Sequence, residues 1–147
     1  MKTRSPDQHP PLDAPNYGKS LRGLGFNLLV RNIDQSLKFH KQVLQSTVFY
    51  SDSDFAMLRL IGGDYMLHAD HTYSHNPVSG LIAGVDARGI GVELRIYGLD
   101  PDGAEKRARD EGFTVLAGAL DKPHGLREAV LIDDDGYLWV PSVHLKD

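Results

Sequence analysis

The chain repeats itself, and the repeat restricts its fold more than any single motif does. Residues 26–34 read Phe-Asn-Leu-Leu-Val-Arg-Asn-Ile-Asp, and residues 92–100 read Val-Glu-Leu-Arg-Ile-Tyr-Gly-Leu-Asp. Each is an alternating strand that runs straight into a helix start, and the two stand 66 positions apart. The correspondence carries on to Thr47-Val48 and Thr114-Val115. Self-similarity of this kind points to two copies of one supersecondary unit, neither of which buries its apolar face alone.

In the first copy Phe26, Leu28 and Val30 alternate with Asn27, Leu29 and Arg31, the period of a strand with one face on a core. Asn32 is a good helix N-cap, and Gln35 three residues on completes a capping-box pattern. Ile33, Leu37, Val43 and Leu44 supply the apolar stripe of that helix. Strands are expected at 46–51, 55–61 and 64–70, divided by Ser51-Asp52-Ser53-Asp54 and Gly62-Gly63-Asp64. The second copy follows the same order. Val92, Leu94 and Ile96 face the core, and Asp100-Pro101 opens a helix that reaches Glu111 and stops at Gly112. Strands follow at 113–117, 126–132 and 137–143. The acidic triplet Asp133-Asp134-Asp135 with Gly136 reads as a hairpin turn, because calcium needs more oxygen ligands than so short a segment offers.

The predicted fold class is α+β: two βαβββ modules in tandem, forming curved mixed sheets around a shared cup. Module one covers residues 21–70, a linker 71–89, and module two 90–147, within one domain spanning 21–147. Residues 1–20, with Pro6, Pro10, Pro11 and Pro15 among polar neighbours, read as a flexible arm or one that docks on a partner subunit.

Composition narrows the function classes. The net charge is −4 and the basic residues are scattered, so the concentrated basic face of a nucleic-acid-binding protein is absent. No apolar run approaches the length needed to cross a bilayer, and the first twenty residues lack the apolar core of a signal peptide. Without cysteine there is no disulfide or thiolate metal site. A cytoplasmic protein is expected.

Three segments then carry a family resemblance: Leu-Val-Arg-Asn-Ile-Asp-Gln-Ser-Leu-Lys-Phe-His from 29, Gly-Val-Glu-Leu with Gly-Phe-Thr-Val, and Lys-Pro-His-Gly-Leu-Arg-Glu followed by Ile-Asp-Asp-Asp-Gly-Tyr-Leu-Trp. In their order and spacing they resemble the vicinal oxygen chelate superfamily, which includes glyoxalases, extradiol dioxygenases and bleomycin or fosfomycin resistance proteins. The resemblance covers residues 24–143, and Asp54-Phe55-Ala56 through Tyr65-Met66-Leu67-His68 is most similar to the resistance-protein branch. It implies a ligand cup between modules and a homodimer. In metal-dependent members the first and last strands of each module give one ligand apiece. Those positions fall here on Gly25, His68, Gly91 and Val140. Glycine and valine carry no donor, and one imidazole does not make a catalytic metal site, so no metal cofactor is expected. His71, His75 and His124 are read as loop histidines rather than a replacement set.

Strand alternation selects the cup lining: Asn27, Leu29, Met66 and His68 from module one, and Glu93, Arg95, Leu138, Val140 and Ser142 from module two. The resemblance adds His124 at the rim. Glu93 and Arg95, two apart, pair with each other or bind a polar ligand. Tyr65, Tyr137 and Trp139 have the opposite parity and belong to the core; of Arg127 and Glu128, one reaches the cup. The expected function is metal-independent binding of a small organic ligand, an antibiotic or metabolite, sequestered without chemical change. The alternatives are a metal-dependent glyoxalase-type lyase or extradiol-type dioxygenase with a non-standard ligand set, and a metal-free enzyme with His68 or Glu93 as general base.

Overall fold

A computed structural model describes residues 1–146. After a short helix α1 (Ala14–Ser20), module one runs β1 (Asn27–Val30), α2 (Ile33–Gln42), β2 (Thr47–Ser51), β3 (Phe55–Leu60) and β4 (Gly63–Ala69). A 3-10 turn (Asp70–Tyr73) and the one-turn helix α3 (Ser79–Ile82) lead to module two: β5 (Glu93–Tyr97), α4 (Pro101–Asp110), β6 (Thr114–Asp121), β7 (Leu126–Ile132) and β8 (Leu138–His144). The sheets have the same topology, β1-β4-β3-β2 and β5-β8-β7-β6, with the first pair of each parallel and the others antiparallel. The repeat read from the sequence is therefore a structural one, and both modules are βαβββ units.

Local chemistry accounts for the helix boundaries. Asn32 has extended backbone, and its side chain accepts from Gln35 N, which satisfies one of the free N–H groups of the first turn of α2. The reciprocal half of the expected capping box is not made. Gln35 Nε2 instead donates to Asp134 Oδ2 at 2.9 Å, tying the helix start to the β7–β8 turn. Asp100 caps α4 through Asp102 N and Gly103 N, with Pro101 in the first turn where its missing N–H costs nothing.

One core serves both modules. Leu28, Val30, Phe39, Leu58 and Leu67 of module one pack in the same cluster as Ile96, Ala104, Leu131 and Trp139 of module two. Trp139 is its centre: Phe39, His40, Tyr65 and Phe26 all lie around the indole, with ring centroids 5.2–6.3 Å away. Phe26 stands just before β1, but it stacks on Tyr65 at 4.9 Å and so keeps the inward parity expected of it. Tyr137 lies at the edge of this cluster, and its hydroxyl donates to Leu29 O at 2.8 Å.

Several sequence expectations need correction in detail. The last strand of module one stops at Ala69, one residue early, because the chain turns into the 3-10 segment. His68 and Val140, the matching last-strand positions, stand 72 apart, six more than the repeat offset of 66. Part of that difference lengthens β6, which has eight residues against five in β2 and shifts register between Val115 and Ala117 and again between Ala117 and Leu120. The linker also proves tightly fastened. Gly89 N donates to Gly136 O at 3.0 Å, and a Cβ on Gly136 would stand 2.1 Å from Asp86 O, so that turn needs glycine for close approach as well as for its φ of +83°. Arg88 completes the fastening with a bidentate pair to Asp70, both contacts at 2.7 Å, and a third bond to Leu29 O.

The acidic triplet is a turn. Asp133 Oδ1 accepts from Asp135 N and Tyr137 N, and Oδ2 accepts from Trp139 Nε1 at 2.8 Å. Asp135 Oδ1 takes Arg31 N at 3.0 Å. These carboxylates are occupied by N–H donors, which suits a loop anchor and not a cation cage.

Candidate functional site

Register brings the module-one candidates together. On adjacent parallel strands Asn27 lies opposite Met66 and Leu29 opposite His68, while Phe55 on β3 lies on the other side of His68. Alternation makes Asn27, Met66 and His68 share the face away from α2. His68 Nδ1 and Asn27 Oδ1 are 2.6 Å apart, and Asn27 Nδ2 donates to Tyr73 Oη at 2.9 Å. Because the amide nitrogen is the donor toward Tyr73, the amide oxygen must be the acceptor for the imidazole. That assigns the proton to Nδ1 and leaves a lone pair on Nε2. Burial lowers the His68 pKa, which favours this neutral form.

The N-terminal segment roofs this face. The result is a cavity of about 910 Å³ whose floor is Phe55, Met66, His68 and Tyr73 and whose roof includes Leu12, Tyr17 and Leu21. Tyr17 packs edge-on to Phe55 at 6.2 Å. Thr3 holds the segment down: its N–H and hydroxyl both donate to Asp54 Oδ1, at 2.7 and 2.8 Å, and Arg4 reaches Asp52 at 3.3 Å. His71 also contacts Asp54 Oδ1 at 2.8 Å. Burial works against ionisation of Asp54, but the bonds from His71 and Thr3 outweigh it and hold the carboxyl well below the usual range.

The module-two candidates gather elsewhere. Arg95 Nη1 donates to Glu93 Oε2 at 2.6 Å and Nη2 to Glu128 Oε2, which also faces His124 Nε2 at 3.4 Å. Glu128 is thus the member of the Arg127–Glu128 pair on this face. Arg127 turns the other way to Asp102 and Asp121. Burial opposes the Glu128 charge, yet Arg95 and then His124 bring its pKa below the ordinary value. Glu93 and Arg95 border a gap of about 450 Å³ between the modules, shared with Leu24, Phe26, Ile61, Tyr65 and Tyr97. Leu138, Val140 and Ser142 are buried, and Ser142 Oγ bonds Ile96 O at 3.4 Å. Leu29 is buried as well. The ten residues expected to line one cup are therefore divided: Met66 and His68 line the roofed cavity, with Asn27 bonded to His68; Glu93, Arg95 and His124 form an ion-pair cluster; and the other four lie in the interior.

No family model and no curated protein matches the sequence. Solved structures do match in three dimensions. A glyoxalase/bleomycin resistance protein/dioxygenase from Nocardioides superposes with a TM-score of 0.64 at 20% identity, covering 90% of this chain and 93% of that one. A glyoxalase-related enzyme from Fulvimarina pelagi gives 0.67 at 15% identity over 84% of this chain and 88% of its own. TioX from Micromonospora sp. ML1 gives 0.61 at 21% identity, over 84% and 99%. The chain has the glyoxalase/bleomycin resistance fold. This is the architecture of the vicinal oxygen chelate superfamily that the sequence resembles.

The metal that the glyoxalase/bleomycin resistance fold often carries does not suit the residues present. Of Gly25, His68, Gly91 and Val140, His68 alone has a donor, and its Nδ1 is engaged by Asn27. Gly91 sits at φ +106°, a conformation that disfavours any ligand side chain there. Among the described residues no group of three or more His, Asp or Glu side chains is placed to hold an ion.

Sequence reasoning missed Phe55, Tyr73 and Tyr17. Phe55 was within reach, since it shares its strand face with Met57 and its register with His68. Tyr73 and Tyr17 lie in a 3-10 turn and in the N-terminal segment, where no periodicity says which way a side chain points.

Proposed function

We propose that this protein binds a small organic molecule, of the antibiotic or metabolite class, in the cavity under the N-terminal segment, and that it does so without a metal. The supporting observation is the cavity itself: about 910 Å³, walled mainly by apolar and aromatic side chains, with the His68–Asn27–Tyr73 chain as a small convergent polar group. That combination is typical of small-molecule sites, where apolar area supplies affinity and a few polar atoms set orientation. The donor-poor set at Gly25, Gly91 and Val140 supports the metal-independent part of the reading. The Nocardioides protein's name joins glyoxalase, bleomycin resistance protein and dioxygenase, and a fold of this kind does not by itself fix one function.

The test uses N-phenyl-1-naphthylamine, an uncharged probe whose fluorescence rises in apolar surroundings. Saturable uptake at one probe per chain is expected, lost in Met66→Trp, which fills the cavity while circular dichroism stays native. Uptake that is unsaturable, or indifferent to Met66→Trp, refutes the site. Stoichiometric nickel, zinc or manganese on the purified protein, or acquired on titration, refutes the metal-independent part.

A further inference from the structure

The polar chain in the cavity has a definite direction, and the direction carries information about the ligand. Asn27 donates to Tyr73 Oη through Nδ2 and accepts from His68 Nδ1 through Oδ1. The amide therefore occupies a lone pair of the phenol oxygen and the proton of the imidazole. What remains is one lone pair on His68 Nε2 and one proton on Tyr73 Oη, for neither of which the described residues supply a partner. The two rings lie 5.6 Å apart, and Phe55 flanks His68 at 4.6 Å.

Most charged side chains lining the cavity are engaged, Asp13 by Asn16 of α1, while Lys2 on the roof has no partner among the described residues. Arg4 is paired with Asp52, and Asp54 Oδ1 is taken by Thr3 and His71. The remaining oxygen of Asp54 is fully buried and out of reach of a ligand. An apolar wall penalises any net charge that is not paired within it, and no side chain on the floor offers an unpaired cation to hold an anion. The flat faces of Phe55, Tyr73 and Tyr17 favour an aromatic body.

We infer, building on the cavity-binding reading above, that the site selects aromatic molecules bearing both a hydroxyl and a carbonyl, the hydroxyl donating to His68 Nε2 and the carbonyl accepting from Tyr73 Oη. Asn27 is the positioning residue that fixes which of the two rings donates. A hydroxyl ligand satisfies the bare acceptor, whereas its methyl ether leaves that acceptor desolvated and empty, and sites built this way discriminate more strongly than apolar pockets do.

The experiment compares 6-hydroxyflavone, 6-methoxyflavone and flavone by titration at pH 7.5 against wild type, His68→Phe and Tyr73→Phe. Wild type is expected to bind the hydroxyl compound at least fivefold tighter than the other two. His68→Phe should erase that preference while keeping the affinity for flavone. Tyr73→Phe should weaken all three carbonyl probes about fivefold and keep the preference. Equal binding of the three probes to wild type overturns the inference while leaving cavity binding standing, and so does a preference that survives His68→Phe. Failure of all three to bind, with N-phenyl-1-naphthylamine still bound, overturns the ligand class alone. Loss of every probe overturns both.

Discussion

Replacing His40 with leucine should reverse part of the acid sensitivity of this fold. His40 is fully buried on the inner face of α2, its Nδ1 is 2.7 Å from Tyr65 Oη, and its Nε2 has no partner. Burial pushes its pKa from 6.5 down to about 3. The sign follows from linkage. Between pH 6.5 and 3 the unfolded chain takes up a proton at this residue and the folded chain does not, so stability falls as pH falls. The slope approaches about 1.4 kcal/mol per pH unit once the unfolded histidine is protonated, or about 2 kcal/mol between pH 6.5 and 4.5. Asp133 acts in the opposite sense. Burial raises its carboxyl from 3.8 to about 6, so the folded state takes up that proton first and gains stability as pH drops from 6 toward 3.8. The two contributions largely offset each other in the wild type. In the difference between wild type and His40→Leu, however, Asp133 and every other shared group cancel. The variant should be less stable at pH 7.5, having lost the Tyr65 bond, and the gap should close by about 2–3 kcal/mol on going to pH 4.5. Urea titrations followed through Trp139, the single tryptophan, measure both numbers. A gap that stays constant over this range would show that His40 is protonated or hydrated in the folded state, and the argument from its burial would fail.

Three further outcomes follow from the packing. Trp139→Ala removes the centre of the shared core and leaves Asp133 Oδ2 without its indole donor, which should cost about 3–5 kcal/mol by urea titration followed by circular dichroism. A loss under 1 kcal/mol would mean the two modules do not depend on that ring. Arg95→Leu should cost about 3 kcal/mol, because the nearly buried Glu128 carboxylate loses its main partner, and Arg95→Leu with Glu128→Leu together should recover most of it. Equal losses in the single and double variants would refute that account. Deleting residues 1–20 removes Leu12 and Tyr17 from the cavity roof and should weaken N-phenyl-1-naphthylamine binding about tenfold, equivalent to about 1.4 kcal/mol, with circular dichroism of the sheets unchanged. Unaltered affinity would show that the floor alone holds the probe.

What could be read from the residues was local or periodic. Strand alternation at Leu28–Val30 and Leu94–Ile96 needs only a period of two, although Val92, read as core-facing, lies exposed ahead of β5; the helix starts at Asn32 and Asp100 need only a side chain near its own backbone, and the repeat ties the two together. The same logic shows that Gly25, Gly91 and Val140 bring no donor, since that is a property of the side chain wherever it lies. Tertiary structure decided the rest, because it concerns distances between segments far apart in the chain. Asn27 and Tyr73 are 46 residues apart, and their bond is what orients His68. Thr3 and Asp54 are 51 apart, and they place a roof over a face that periodicity alone leaves open. Arg95 was visible as a partner for Glu93 but not for Glu128, which stands 33 residues on and meets it only once β7 and β8 are paired. His40 shows the same divide in energetic form: its place on α2 follows from helical spacing, but its depressed pKa comes from burial in the packed core, to which Phe39, Tyr65 and, from the other module, Trp139 contribute.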